Sequence, residues 1–153
     1  MIKRAALKEV GWSLEDFVRE SNWIEGIVRK PLAKEIDAHK RFLKLRSIGV
    51  YALEEFVHEI CGELIRARPG MDVRVGGYAL SLGGADIVTS LGGILARMDE
   101  QGPYRTHVAY EHLHPFVDGN GRSGRVLWLW QMGGEAPLGF LHKFYYQTLG
   151  ASK

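Results

Sequence analysis

"HLHPFVDGNGRSGR", His112 to Arg125, carries more chemistry than packing requires. His114 closes an apolar run and Pro115 follows at once. Then come Asp118, the turn Gly119-Asn120-Gly121, and two arginines, Arg122 and Arg125. Glycines in such a turn let backbone approach a ligand closely, and successive N–H groups form a nest for an anion. The helix that follows adds unpaired N–H groups and the positive end of its dipole, so phosphate is the natural guest. Arg122 and Arg125 are spaced to share a helix face, and their forked guanidiniums suit phosphate oxygens. Asp118 would repel phosphates unless a cation intervened, and Mg²⁺ is commonly held by one or two carboxylates plus substrate phosphates. His114 stands beside them as a base that works near neutral pH. Taken singly, each group also has an ordinary reading: a turn, a surface pair, a capping carboxylate, a packed histidine. No G-K-[ST] follows, so the loop is not a P-loop. His107, His112 and His114 lack zinc-ligand spacing, since no cysteine or second carboxylate pattern completes the set.

Outward from this stretch the pattern is mostly helical. Ser13 can cap a helix over about 13–26, with Asp16 completing a capping box and Trp12 and Phe17 forming a hydrophobic staple. Pro31 suits the first turn of a second helix, with Leu32, Ile36 and Leu43 near one face. Val50, Leu53, Val57, Ile60 and Leu64 recur at helical spacing in a third, which should run to Ala67 before the Arg68–Gly70 stop. Val73 to Leu82 alternates as a strand pair around Gly76-Gly77, the right chemistry for a two-residue hairpin turn. A helix over about 85–98 follows, with Ile87, Val88, Leu91, Ile94, Leu95 and Met98 as its core stripe. Further helices are expected over about 104–113, 122–132 and 139–149, with Gly133 to Pro137 as the break between the last two. The fold class is therefore mainly α, a helical bundle carrying one β-hairpin.

The segment "HPFVDGNGRSGR" resembles the H-P-F-x-[D/E]-G-N-G-R-x-x-R signature of the Fic family at every fixed position. The helix order and the hairpin are similar to the Fic core as well. The resemblance implies a single Fic domain over residues 1–153 with its core over 50–132. It implies a protein adenylyltransferase, which moves AMP from ATP to a Ser, Thr or Tyr hydroxyl of a target protein. His114 would then be the general base and Asp118 the Mg²⁺ ligand. Gly119, Asn120, Gly121, Arg122 and Arg125 would hold the nucleotide. Val73, Arg74, Val75, Gly76, Gly77 and Tyr78 would belong to a flap over 73–82 that docks the target as an added strand. Gly83-Gly84 departs from the prolines that many members have after that flap. Doc-like phosphoryl transfer and an inactive nucleotide-binding module are the alternatives; Doc-type members carry A-N-K-R where this chain carries Gly119 to Arg122.

A second motif lies upstream, "SNWIEG", Ser21 to Gly26. Read alone, it is the end of an amphipathic helix with a glycine stop. Beside the longer signature it resembles the [S/T]-x-x-x-E-[G/N] motif of self-inhibited Fic proteins. That resemblance implies an inhibitory helix in which Ser21, Glu25 and Gly26 form the motif and Glu25 pairs with Arg125, displacing the γ-phosphate grip.

Bulk properties agree with an ordinary globular domain. The chain has 153 residues, 46% hydrophobic and 25% charged, enough to bury a core without disulfides. A net charge of only +2 gives no argument for a nucleic-acid or membrane partner. Cys61, the single cysteine, reads as a small core residue. The opening "MIKRAALKEVGW" does not read as a secretory signal, because Lys8 and Glu9 interrupt its apolar stretch. A cytoplasmic location is expected, with ATP and a target protein as partners. The resemblance also implies self-association as a means of regulation.

Overall fold

The structure, a computed structural model, describes residues 13–62, 73–75, 78–80 and 85–134. Among the described residues the chain forms six helices and two short strands: α1 Leu14–Ile24, α2 Ala33–Leu43, α3 Val50–Cys61, β1 Val73–Val75, β2 Tyr78–Leu80, α4 Ala85–Ala96, α5 Met98–Leu113 and α6 Asn120–Gln131. None of these helices is long and apolar enough to cross a membrane.

Local chemistry sets most of the boundaries. Ser13 caps α1 in a full capping box with Asp16, its Oγ accepting the Asp16 N–H at 3.1 Å. Trp12 of the expected staple lies outside the described residues. The second helix starts at Ala33, later than the proline suggested. Glu35 at its third position accepts the Leu32 N–H at 2.8 Å, which fixes Leu32 as the capping residue. Its buried face is also not the apolar one expected. Leu32 is 41% exposed, while Glu35, Ala38, His39 and Phe42 are buried. Hydrogen bonds to Glu35 and His39 make that burial tolerable.

α3 ends at Cys61, earlier than the periodicity implied. Gly62 takes a left-handed φ of 83° and donates its N–H to the His58 carbonyl, a glycine stop that hydrophobic spacing does not register. Leu64, Ala67 and Arg68 to Gly70 lie outside the described residues. β1 and β2 pair antiparallel with Val73 opposite Leu80 and Val75 opposite Tyr78. Gly76, Gly77 and the stretch from Ser81 to Gly84 lie outside the described residues, as does the helix expected over 139–149.

In α4, Ile87, Leu91, Ile94 and Leu95 are buried as expected, but Val88 is 41% exposed and leaves the stripe. Met98 begins α5 instead of ending α4. α5 is interrupted at Gly102, whose φ of 79° and ψ of 169° are not helical, and resumes at Pro103, where a missing N–H costs nothing. α6 begins at Asn120, two residues before Arg122, because Gly119 caps it with a φ of 80°. Gly133 and Gly134, both at positive φ, follow its end.

α6 occupies the middle of the bundle and packs against α1, α2, α3 and α5. Its Val126 and Leu127 are fully buried among Leu53, Phe56, Val57, Tyr110 and Phe116 from the surrounding segments, while Leu129 is buried with Phe17 of α1 on the opposite side. This placement puts the glycine loop, at the N-terminus of α6, where α1, α2 and α3 converge.

Two buried histidines tie stability to pH. His39 lies edge-on to Phe17 and Phe56, with ring centroids 6.1 and 4.9 Å away, and its Nδ1 sits 2.7 Å from the Glu35 carbonyl. Burial pushes its pKa down from 6.5 to about 4. Burial likewise pushes His107 down to about 3. Both rings are therefore neutral in the fold, whereas the unfolded chain takes up protons below about pH 6.5. Stability is full above that pH and falls as pH drops toward the folded-state values, on the order of 1.4 kcal/mol per pH unit for each histidine. The urea midpoint should accordingly be clearly lower at pH 5 than at pH 7; equal midpoints would contradict the buried neutral rings.

Candidate functional site

His114 stands at the C-terminal cap of α5 with φ 51° and ψ 62°, the sole non-glycine at positive φ among the described residues. Its N–H donates to the Tyr110 carbonyl at 3.0 Å. A left-handed residue that is not glycine costs roughly 1–2 kcal/mol. Such strain persists where the surroundings impose it. Here the imposing elements are the helix end behind and the loop ahead.

Asn120 closes that loop. Its Oδ1 accepts the Phe116 N–H at 2.9 Å and its Nδ2 donates to the Phe116 carbonyl at 2.6 Å. The side chain expected to touch a nucleotide is thus 4% exposed and spent on the loop's own backbone. Phe116, 2% exposed, anchors the same segment in the core. Asn120→Ala would leave two buried backbone groups without these partners, at about 1–3 kcal/mol each. Chemical denaturation of this variant should show that loss; a midpoint matching the parent would mean the clasp is dispensable.

Asp118 is exposed on the loop, and its Oδ1 accepts the Gly119 N–H at 2.8 Å. Among the described residues no group of three or more His, Cys, Asp or Glu side chains is placed to hold a metal ion. A lone outward carboxylate does fit Mg²⁺ whose remaining ligands are phosphate oxygens and water. Cys61 is partly buried and lies behind Gly119, where a side chain would meet Cys61 Sγ at 3.1 Å and Val57 Cγ1 at 3.2 Å.

The two arginines, three apart in α6, reach different partners. Arg125 is fully buried. Its Nε donates to Ser21 Oγ at 2.8 Å, and one Nη donates both to the Ser21 carbonyl at 2.9 Å and to Glu25 Oε2 at 2.6 Å. Glu25 caps the end of α1, its side chain 37% exposed, and Gly26 follows at φ 80°. A side chain at Gly121 would collide with the Glu25 carboxylate, so the absence of one is what admits Glu25 to the mouth of the nest.

Arg122 turns toward α2. One Nη donates to Cys61 Sγ at 3.6 Å, and the other lies 3.8 Å from Glu35 Oε2. Glu35 is 1% exposed and also receives Arg29 through two hydrogen bonds, at 2.9 and 3.1 Å, and Asn22 Nδ2 at 3.3 Å. Burial would raise its pKa, but the hydrogen bonds from Arg29 and the Leu32 N–H outweigh that and bring it below the ordinary carboxylate value. Beneath the loop, Tyr110 and Ser123 are joined at 2.7 Å, and Ser123 Oγ donates to the Asn120 carbonyl at 3.2 Å. Burial raises the Tyr110 pKa, which keeps it a neutral donor.

Sequence reading missed Glu35, Arg29, Asn22 and the Tyr110–Ser123 pair. A glutamate three residues after Leu32 was the one available signal, and it marks a helix start, not a site. His114, Asp118, Gly119, Gly121, Arg122 and Arg125 surround one loop, and Ser21 and Glu25 reach it from α1. Gly76 and Gly77 lie outside the described residues, and Val73, Arg74, Val75 and Tyr78 are described only as strand backbone.

No curated protein matches the chain. The family model described as Fic/DOC family matches residues 98–132, the span of α5, the loop and α6. The segment that builds this loop is therefore similar to the Fic/DOC family.

Proposed function

We propose that the protein is a self-inhibited protein adenylyltransferase. Similarity of residues 98–132 to the Fic/DOC family points to AMPylation or a related nucleotidyl or phosphoryl transfer. The finer reading is supported chiefly by the contact of Ser21 and Glu25 with Arg125 at the mouth of the glycine nest. In the proposed reaction a target hydroxyl oxygen forms a bond to the α-phosphorus of ATP. The bond from that phosphorus to the bridging oxygen breaks, pyrophosphate leaves, and His114 takes the hydroxyl proton. Asp118 would hold Mg²⁺, which neutralises phosphate charge when bound. The backbone from Gly119 to Gly121, with Arg122 and Arg125, would supply the fixed positive field that stabilises the transferring group. β1 and β2 would offer the target an edge for strand addition. Glu25 would occupy Arg125 and so deny the outer phosphate its clamp.

Incubating the Glu25→Gly variant with Mg²⁺ and either α- or γ-labelled ATP tests this reading. The α label should stay on protein and the γ label should not. Retention of the γ label alone would replace the proposal with Doc-like phosphoryl transfer. Retention of neither would leave a nucleotide-binding module at most.

A further inference from the structure

Arg122 is a buried cation whose ion-pair partner among the described residues is Glu35. That pairing is loose: 3.8 Å from Nη1 to Glu35 Oε2, with a weak acceptor, the Cys61 sulfur, on the other Nη at 3.6 Å. Its Nε, also buried, has no partner among the described residues. The same Glu35 Oε2 already accepts a hydrogen bond from Arg29 at 3.1 Å, while Oε1 takes Arg29, Asn22 and the Leu32 N–H. Two guanidiniums thus compete for one carboxylate oxygen, and Arg29 holds the closer position. Arg29 lies just behind α1 in the chain, and Asn22 lies within α1.

We propose that Glu35 is a positioning residue for Arg122, and that Arg29 limits its hold: while α1 is docked, Arg29 occupies the shared oxygen and leaves Arg122 loosely held. When α1 withdraws it takes Asn22 and Arg29 with it. Glu35 then closes on Arg122 and fixes the guanidinium at the helix start. Docking of α1 is therefore sensed at both arginines of the loop, at Arg125 directly and at Arg122 through a carboxylate that α1 never contributes. The inference deepens the proposed function, since Arg122 matters here as a phosphate clamp.

The test is the solvent-exchange rate of the Arg122 guanidinium protons, read by side-chain NMR on the full chain without nucleotide. Arg29→Gln should slow that exchange roughly fivefold, as the freed oxygen draws Arg122 in. Glu35→Gln, nearly the same shape, should speed it instead. In Arg29→Gln, Glu35 keeps its Asn22 and Leu32 N–H donors and the new amide can still donate, so this variant decides the matter even if Glu35→Gln does not fold. Unchanged exchange in Arg29→Gln, or a change in the same direction as Glu35→Gln, overturns the competition. Because no nucleotide enters the measurement, its outcome is separate from the proposed function. A Glu25→Gly variant that failed to bind ATP would sink that function while Arg122 exchange still decided this point.

Discussion

Replacing His114 by alanine in the Glu25→Gly background should lower transfer of the α label by roughly 10²–10⁴-fold, the usual cost of losing a general base. The effect should fall on the rate at saturating ATP and leave ATP affinity nearly unchanged. His114 sits at the end of α5, whereas the groups proposed to grip phosphate sit at the start of α6. Its left-handed backbone sharpens the expectation. The N–H bond to Tyr110 and the Asn120 clasp on Phe116, which hold the loop, are both kept when the imidazole is removed. His114→Ala should therefore fold, and its inactivity should be chemical. Single-turnover labelling together with an ATP titration separates rate from binding. Loss of binding as large as the loss of rate would remove His114 from the role of base.

Glu25→Gly should increase the same labelling about tenfold to a hundredfold, if the Glu25–Arg125 pair biases the site by roughly 1.5–3 kcal/mol. The pair is not the whole of the restraint. Ser21 holds Arg125 by two further hydrogen bonds, one from its side chain and one from its backbone carbonyl. Removing the Glu25 carboxylate frees one contact of a shared Nη and leaves Nε on the Ser21 hydroxyl. Adding Ser21→Ala should thus raise activity beyond Glu25→Gly alone, without abolishing α1 docking through the Ser21 carbonyl. Initial rates for parent, single and double variants at one ATP concentration check this order. Equal rates for parent and Glu25→Gly would end the inhibitory reading.

Where a feature depends on neighbours in sequence, it was legible. The Ser13–Asp16 capping box, the Val73–Leu80 pairing and the continuous His114-to-Arg125 signature each lie within a few residues of chain. Glycine stops were read unevenly. The break after α6 was anticipated, but Gly62 was hidden inside a periodic apolar run that continued past it. α2 was harder, because its buried face carries Glu35 and His39, which hydropathy assigns to solvent and which only tertiary hydrogen bonds bring inside. The same reasoning separates the halves of the site. Arg125 meets Glu25 across 100 residues of chain, a partnership reached through the resemblance of two motifs. Arg122 meets Glu35 with no motif to announce it, so the different fates of two arginines three residues apart had no trace in the sequence.

The missing side chain at Gly121 bears on how such a protein can change under selection. Any larger residue there would expel the Glu25 carboxylate, and it would equally fill the space proposed for a phosphate oxygen. On the proposed function one vacancy would serve both inhibitor and substrate, so a mutation at 121 should not release activity without damaging it. Variants that escape self-inhibition should accumulate on α1, at Ser21, Glu25 or the residues that seat them, and Gly121 should stay silent in any such screen.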